Sequence, residues 1–251
     1  MRKSRLRLPL LLALAPLVLA ACSDATDATG AGGAANGEPI PAIAPPPGTK
    51  WADVVAVTEE GGYRIGNPEA PLKLVEYASH TCSHCAEFAQ TGKPVLKDKY
   101  VASGVVSFEQ RETFLNSFDL VIALLARCGA KEQYQPLSDQ VWQNLPAVFQ
   151  GLQSNPQAVE AAGQLPIDQR FFAIAEATGL IAFFSARGIS ADQARVCLSD
   201  SARIDALVKQ VEANNARDKV TGTPTFLLNG SKLDVTQWQQ LEPLLQRAGA
   251  R

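Results

Sequence analysis

Cys82 and Cys85 stand two residues apart, and both histidines of the 251-residue chain, His80 and His84, fall in or beside that stretch. Three kinds of chemistry use such a group. A dithiol can cycle between thiols and disulfide, one sulfur attacking a substrate and the other resolving the mixed disulfide. His80, Cys82, His84 and Cys85 could instead ligate a metal, although a structural zinc usually draws on two separated ligand pairs and no second pair occurs. Haem attachment would need His directly after the second cysteine, where this chain has Ala86. The third use is an inert staple, but so small a ring constrains little of the unfolded chain and adds little stability.

The flanking sequence decides how the pair is presented. Leu72 to Tyr77 alternates as a strand should and runs into the cysteines, while Ala86 to Tyr100 can continue as a helix that Pro94 kinks. Gly104 to Arg111 is the next strand, so the pair sits at the turn that opens the helix of a βαβ unit. A helix N-terminus offers unpaired N–H groups and the positive end of the helix dipole, both of which favour a thiolate. A protonated His84 would add positive charge nearby. Together such effects bring a thiol from roughly 8.5 to between roughly 3.5 and 7.5. Cys82 is then the attacking sulfur and Cys85, further into the helix, the resolving one.

Upstream, Gly61 to Pro71 reads as a short edge strand and turn. Downstream, helical stretches recur at Phe118 to Cys128, Tyr134 to Leu145, Ala147 to Leu152, Asp168 to Leu180, Ala191 to Leu198 and Ser201 to Arg217. The β signal returns at Thr221 to Gly230, where Asn229-Gly230 is a hairpin turn, and an amphipathic helix from Val235 to Arg247 follows. This order implies an α/β domain with an inserted all-helical subdomain. The expected boundaries are 51–112 and 220–251 for the α/β part and 113–219 for the insertion.

The N-terminal 21 residues read as an export signal: Arg2, Lys3, Arg5 and Arg7 precede an apolar run from Leu8 to Leu19. The run ends in Leu19-Ala20-Ala21-Cys22, which resembles a bacterial lipobox and makes Cys22 the expected lipidation site. The alternative is an ordinary signal peptide that leaves Cys22 as a stray thiol. Both lead to a compartment where disulfides persist. Residues 22–50, rich in Ala, Gly, Pro, Asp and Thr, read as a disordered tether; a coil of this length spans roughly 30 Å. The net charge of −2 becomes more negative without the signal, leaving 19 basic against 25 acidic residues, so no electrostatic footprint for nucleic acid is expected. No second apolar run long enough to span a membrane follows.

Gly66-Asn67-Pro68, Leu74-Val75-Glu76-Tyr77, Cys82-Ser83-His84-Cys85 and Gly222-Thr223-Pro224-Thr225-Phe226 together resemble the DsbA-like branch of the thioredoxin superfamily. The strongly oxidising members usually carry Pro where this chain has Ser83. The resemblance implies a thioredoxin fold with the helical insertion, and a cis peptide before Pro224 that presents the Thr223 backbone to a substrate strand. It matches Glu76 to the family's buried acid, a proton relay for Cys85. It assigns no role to His80, which is expected at the surface or rim. It also implies a disulfide within the insertion, Cys128–Cys197. The implied activity is thiol–disulfide exchange with unfolded or cysteine-containing exported proteins, most simply as a dithiol oxidase that a membrane redox partner resets. A reductase or isomerase of the same fold, or a metal-binding chaperone using the Cys/His cluster, are the alternatives. No cofactor is expected, because the cysteine pair itself holds two electrons. The expected location is the periplasm, with Cys22 as a lipid anchor to a membrane.

Overall fold

The central strands of the sheet are buried along almost their whole length, whereas the last strand, at the sheet edge, is exposed. The computed structural model describes residues 37 to 251. The signal, Cys22 and the first part of the tether lie outside the described residues. Six strands, β1 (Val55–Val57), β2 (Tyr63–Ile65), β3 (Leu72–Ala78), β4 (Val106–Glu112), β5 (Thr225–Leu228) and β6 (Ser231–Lys232), form one sheet in the order β1-β2-β4-β3-β5-β6. β3 and β4 are parallel and the remaining pairs antiparallel. The parallel register sets Glu76 beside Gln110, and the antiparallel one sets Glu76 beside Phe226. The β5–β6 turn needs positive φ at both Asn229 and Gly230, which Asn-Gly supplies without strain.

Between β3 and β4 the chain forms α1 (Ser83–Thr91), a short α2 (Lys93–Val95) and a π-helical stretch, Leu96–Val101. One helix kinked at Pro94 was the expectation. The interruption falls instead at Gly92, and Pro94 sits in the first turn of α2, where its missing N–H costs nothing. Gly92 is required by contact: a Cβ there would lie 2.7 Å from the Trp238 side chain and 2.8 Å from Phe88. The final helix, α11, spans Trp238–Arg247 and starts three residues later than the periodicity suggests.

The helical insertion comprises α3 (Ser117–Ala126), α4 (Lys131–Gln143), α5 (Leu145–Gln153), α6 (Pro156–Gly163), α7 (Ile167–Ala177), α8 (Leu180–Ser185), α9 (Ala191–Ser199) and α10 (Ser201–Arg217). α6 and α8 escaped the sequence pattern, as did β1. Two cores result. Phe88, Phe108, Phe226, Trp238 and Leu241 fill the space between the sheet and α1 and α11. Ile122, Leu125, Val141, Phe172, Phe184 and Leu198 knit the insertion together, with Tyr63 of β2 joining them.

The disordered tether does not extend to Lys50. Gly37 N donates to Arg247 O, Ile40 N to Gly249 O and Ile43 N to Ser103 O, each within 2.9 Å. The Trp51 indole donates to Ile43 O at 2.7 Å. Backbone hydrogen bonds and the Ile40 side chain, which packs on the sheet-side core, hold this stretch against the domain.

Cys128, just past the end of α3, and Cys197 on α9 are bonded, with Cα atoms 5.8 Å apart and a sequence separation of 69. A loop of that size makes the bond worth about 4 kcal/mol on the chain-entropy account. Replacing both cysteines by Ser should lower the denaturation free energy by roughly 2–5 kcal/mol in urea titrations, while leaving the far-ultraviolet circular dichroism of the native protein unchanged.

Candidate functional site

Cys82 is the N-cap of α1, in extended backbone geometry, and its sulfur accepts from Cys85 N at 3.3 Å. The loop that delivers it is held from the insertion. Asp119 of α3 takes hydrogen bonds from Ser79 Oγ at 2.8 Å and Thr81 N at 2.9 Å, and the Trp142 indole of α4 donates to Ser79 O at 3.0 Å. The Thr223–Pro224 peptide is cis, and the Cys82 thiol points to Thr223 O at 3.4 Å. The chain thus returns to the cysteine pair some 140 residues after leaving it.

The two sulfurs differ sharply. Cys85 is fully buried among Ala78, Ala86, Trp142 and Leu145, whereas Cys82 lies at the edge of that cluster; neither is disulfide-bonded. The Cys82 thiol is brought down to about 6, first by the Cys85 thiol donating to it, against the opposing effect of burial. Thr223 and the backbone N–H groups of Cys85 and His84 add to this. Burial pushes Cys85 well up, and its bond to Cys82 and the charge of Glu76 push it further. At neutral pH the arrangement holds one proton on Cys85 and a thiolate at Cys82.

Glu76 is completely buried behind the pair, and neither carboxylate oxygen has a hydrogen-bond partner. Burial lifts its pKa to about 8, with Lys93 opposing and Asp139 and Cys82 assisting. It is therefore mostly protonated at neutral pH and within electrostatic reach of both cysteines. The structure brings Cys82, Cys85, Glu76, Thr223 and Pro224 together. It does not bring the His84 ring to the sulfur: that ring is 62% exposed, with Nδ1 3.5 Å from Glu87, and only the His84 backbone N–H serves Cys82.

His80 is not at the surface. It is buried, with Nε2 2.9 Å from Ser138 Oγ and its ring stacked on Trp142 at 5.3 Å between centroids. Burial drops its pKa to about 4, so the ring is neutral. Glu112, with Oε2 3.5 Å from His80 Nδ1 and its other oxygen taking the Tyr134 hydroxyl at 2.6 Å, is raised by burial to about 7. The physical reason for the difference is that α4 supplies polar partners more than fifty residues away, which no local pattern announces. With His80 facing Ser138 and His84 facing Glu87, the four candidate ligands do not converge. Among the described residues, no group of three or more His, Cys, Asp or Glu could hold a metal ion.

Sequence reasoning missed Lys93, Asp139, Gln110 and Trp142. Lys93 is 1% exposed; its Nζ donates to Asp139 at 2.6 Å and to Gln110 at 3.1 Å. A signal existed: Cys85, Ala89 and Lys93 recur every fourth residue, which puts a lysine on the buried stripe of the helix.

Comparisons agree with this geometry. The family model described as Thioredoxin matches residues 58–247. A Rickettsia bellii relative, provisionally named a protein-disulfide oxidoreductase, is 24% identical over 185 residues, covering 73% of this chain and 63% of its own. The chain thus spans less than two thirds of that relative's length. Among solved structures, a protein-disulfide isomerase from Novosphingobium aromaticivorans superposes with a TM-score of 0.67 at 27% identity, over 72% of this chain and 94% of that one. Wolbachia pipientis alpha-DsbA1 shares the fold, with a TM-score of 0.59 at 20% identity, over 76% and 94% of the two chains. With its cysteine pair at the mouth of α1, a cis-proline facing it and a family match across three quarters of its length, this chain belongs to the thioredoxin family.

Proposed function

We propose that the protein is an exported thiol–disulfide oxidoreductase that passes the Cys82–Cys85 disulfide to cysteine-containing exported proteins. The observation that carries this reading is the asymmetry of the pair: a thiolate-favouring Cys82 at the N-cap and a buried, proton-holding Cys85. A substrate thiolate attacks Cys82 Sγ, the Cys82–Cys85 bond breaks, and the electron pair leaves on Cys85 Sγ, which takes its proton from Glu76. A second substrate thiolate then displaces Cys82, a good leaving group because its thiolate is stabilised. Thr223 O and the cis-proline form the backbone edge along which an extended substrate can lie. No bound cofactor enters this scheme. Location in the periplasm, anchorage through a lipidated Cys22 and resetting by a membrane redox partner belong to the same reading, as does the absence of any role for nucleic acid.

The direction proposed is oxidation, since stabilising Cys82 as thiolate favours the reduced enzyme and makes its disulfide a better oxidant. The name of the Novosphingobium neighbour favours isomerisation as a second reading. Isomerisation starts from the reduced enzyme, so scrambled ribonuclease regained without added oxidant would support it over oxidation.

Cys82→Ser should reduce dithiol oxidation and insulin reduction at least a hundredfold. Cys85→Ser should retain attack by Cys82 and accumulate mixed disulfides visible on non-reducing gels. Unchanged turnover in Cys82→Ser would place the chemistry elsewhere.

The thiolate absorbance near 240 nm of the reduced protein should titrate with a midpoint near pH 6, and Cys82→Ser should abolish that step. Because the folded pKa lies below the unfolded one, the thiolate adds stability to the reduced protein above about pH 9. That stability is lost as pH falls through about 6. Urea titrations of reduced wild type and Cys82→Ser should therefore diverge progressively from pH 6 to pH 9.

A further inference from the structure

Lys93 has three N–H groups, of which two are given to Asp139 Oδ1 at 2.6 Å and Gln110 Oε1 at 3.1 Å; the third has no acceptor among the described residues. Gln110 is the register partner of Glu76 on the parallel strand, so the two side chains leave the same face of the sheet about 4.8 Å apart at the backbone. Both oxygens of Glu76 lack a partner. A buried ammonium with one free hydrogen therefore lies within electrostatic reach of a buried carboxyl with two free acceptors, without bonding to it. Asp139 belongs to α4 of the helical insertion, while Lys93 and Glu76 belong to the thioredoxin part. Asp139 is 21% exposed, so it is the member of the group that meets solvent.

We propose that Asp139 is a positioning residue through which the helical insertion sets the acidity of Glu76, by holding the Lys93 ammonium and sharing its charge. The proposal builds on the reading of Glu76 as the proton donor to Cys85. In the first exchange step a substrate sulfur bonds to Cys82 Sγ, the Cys82–Cys85 bond breaks, and its electron pair passes to Cys85 Sγ. The proton moves from Glu76 to that sulfur, and the carboxylate left behind accepts the third Lys93 hydrogen. While Glu76 is neutral, Asp139 balances Lys93; once Glu76 is ionised, the ammonium is shared between the two carboxylates. The charged or titratable groups facing Glu76 are Lys93 from α2, Asp139 from α4 and the two cysteines from the start of α1. Asp139 holds the Glu76 pKa up and Lys93 holds it down. Without Asp139 the full Lys93 charge would fall on Glu76 and make it a poorer proton donor at neutral pH.

The test is a pH titration of the reduced protein labelled with carboxyl-13C glutamate, the Glu76 resonance being identified by its loss in Glu76→Gln. Asp139→Asn should lower the Glu76 midpoint by about one pH unit, Lys93→Met should raise it by about as much, and Asp139→Glu should restore the wild-type value. The alkaline limb of the rate of dithiol oxidation should move down in parallel in Asp139→Asn. Midpoints that stay put, or that move in the same direction in Asp139→Asn and Lys93→Met as a general loosening would produce, overturn the proposal. Should Lys93→Met fail to fold, Asp139→Asn against Asp139→Glu decides alone. A wild type without dithiol exchange would sink the functional reading while leaving these midpoints free to move; exchange with immobile midpoints would sink only this inference.

Discussion

The sulfur of Cys82 occupies the one place at the mouth of α1 where the backbone N–H groups of His84 and Cys85 have no helical acceptor, and three separate parts of the chain keep it there. Asp119 and Trp142 pin the preceding loop from the insertion, the cis Thr223–Pro224 peptide closes the opposite side, and Phe88 and Gly92 seat the helix against Trp238. A helix N-terminus favours negative charge by a modest amount in water, but here the sulfur is largely desolvated and the Cys85 thiol donates to it as well. Moving the start of α1 by a single residue would turn the sulfur away from these donors. The electronic difference between two chemically identical thiols follows from that placement.

The same architecture maintains unusual polarity behind the pair. Between β3, β4 and α4 lie Glu76, Lys93, Gln110, Tyr134, Glu112 and His80, all buried. Burying an uncompensated charge is costly, and this layer avoids the cost by protonation and by pairing. Glu76 and Glu112 are raised toward neutrality, His80 is kept neutral, and Lys93 is matched by Asp139. The layer sits where the insertion meets the sheet, so the helices contribute more than a cover. Ser138, Asp139 and Trp142 all come from one helix, α4, and reach His80, Lys93 and Ser79 respectively.

Much of this is legible in the sequence. The alternation of Leu72 to Tyr77, the Asn229-Gly230 turn and the run of amphipathic segments between Phe118 and Arg217 lead to the observed sheet and insertion, because each is a local periodicity. Cys82, Cys85 and the cis-proline stand out because their chemistry is rare and their order along the chain is informative. What was not legible depends on contacts across long separations. His80 becomes buried through Ser138 and Trp142, and Lys93 through Asp139 and Gln110. The His84 ring turns outward to Glu87, a choice between rotamers that sequence does not encode. The stretch from Gly37 to Ile43 has a disordered composition yet docks by backbone hydrogen bonds, which any side chain permits.

Stabilisation of the Cys82 thiolate would make the Cys82–Cys85 disulfide an oxidant, and equilibration with glutathione at pH 7 measures that property. The expected reduction potential is clearly less negative than the roughly −270 mV of thioredoxin. A value at or below that figure would contradict it, since it would mean that the placement of Cys82 at the mouth of α1 gives the reduced form no advantage.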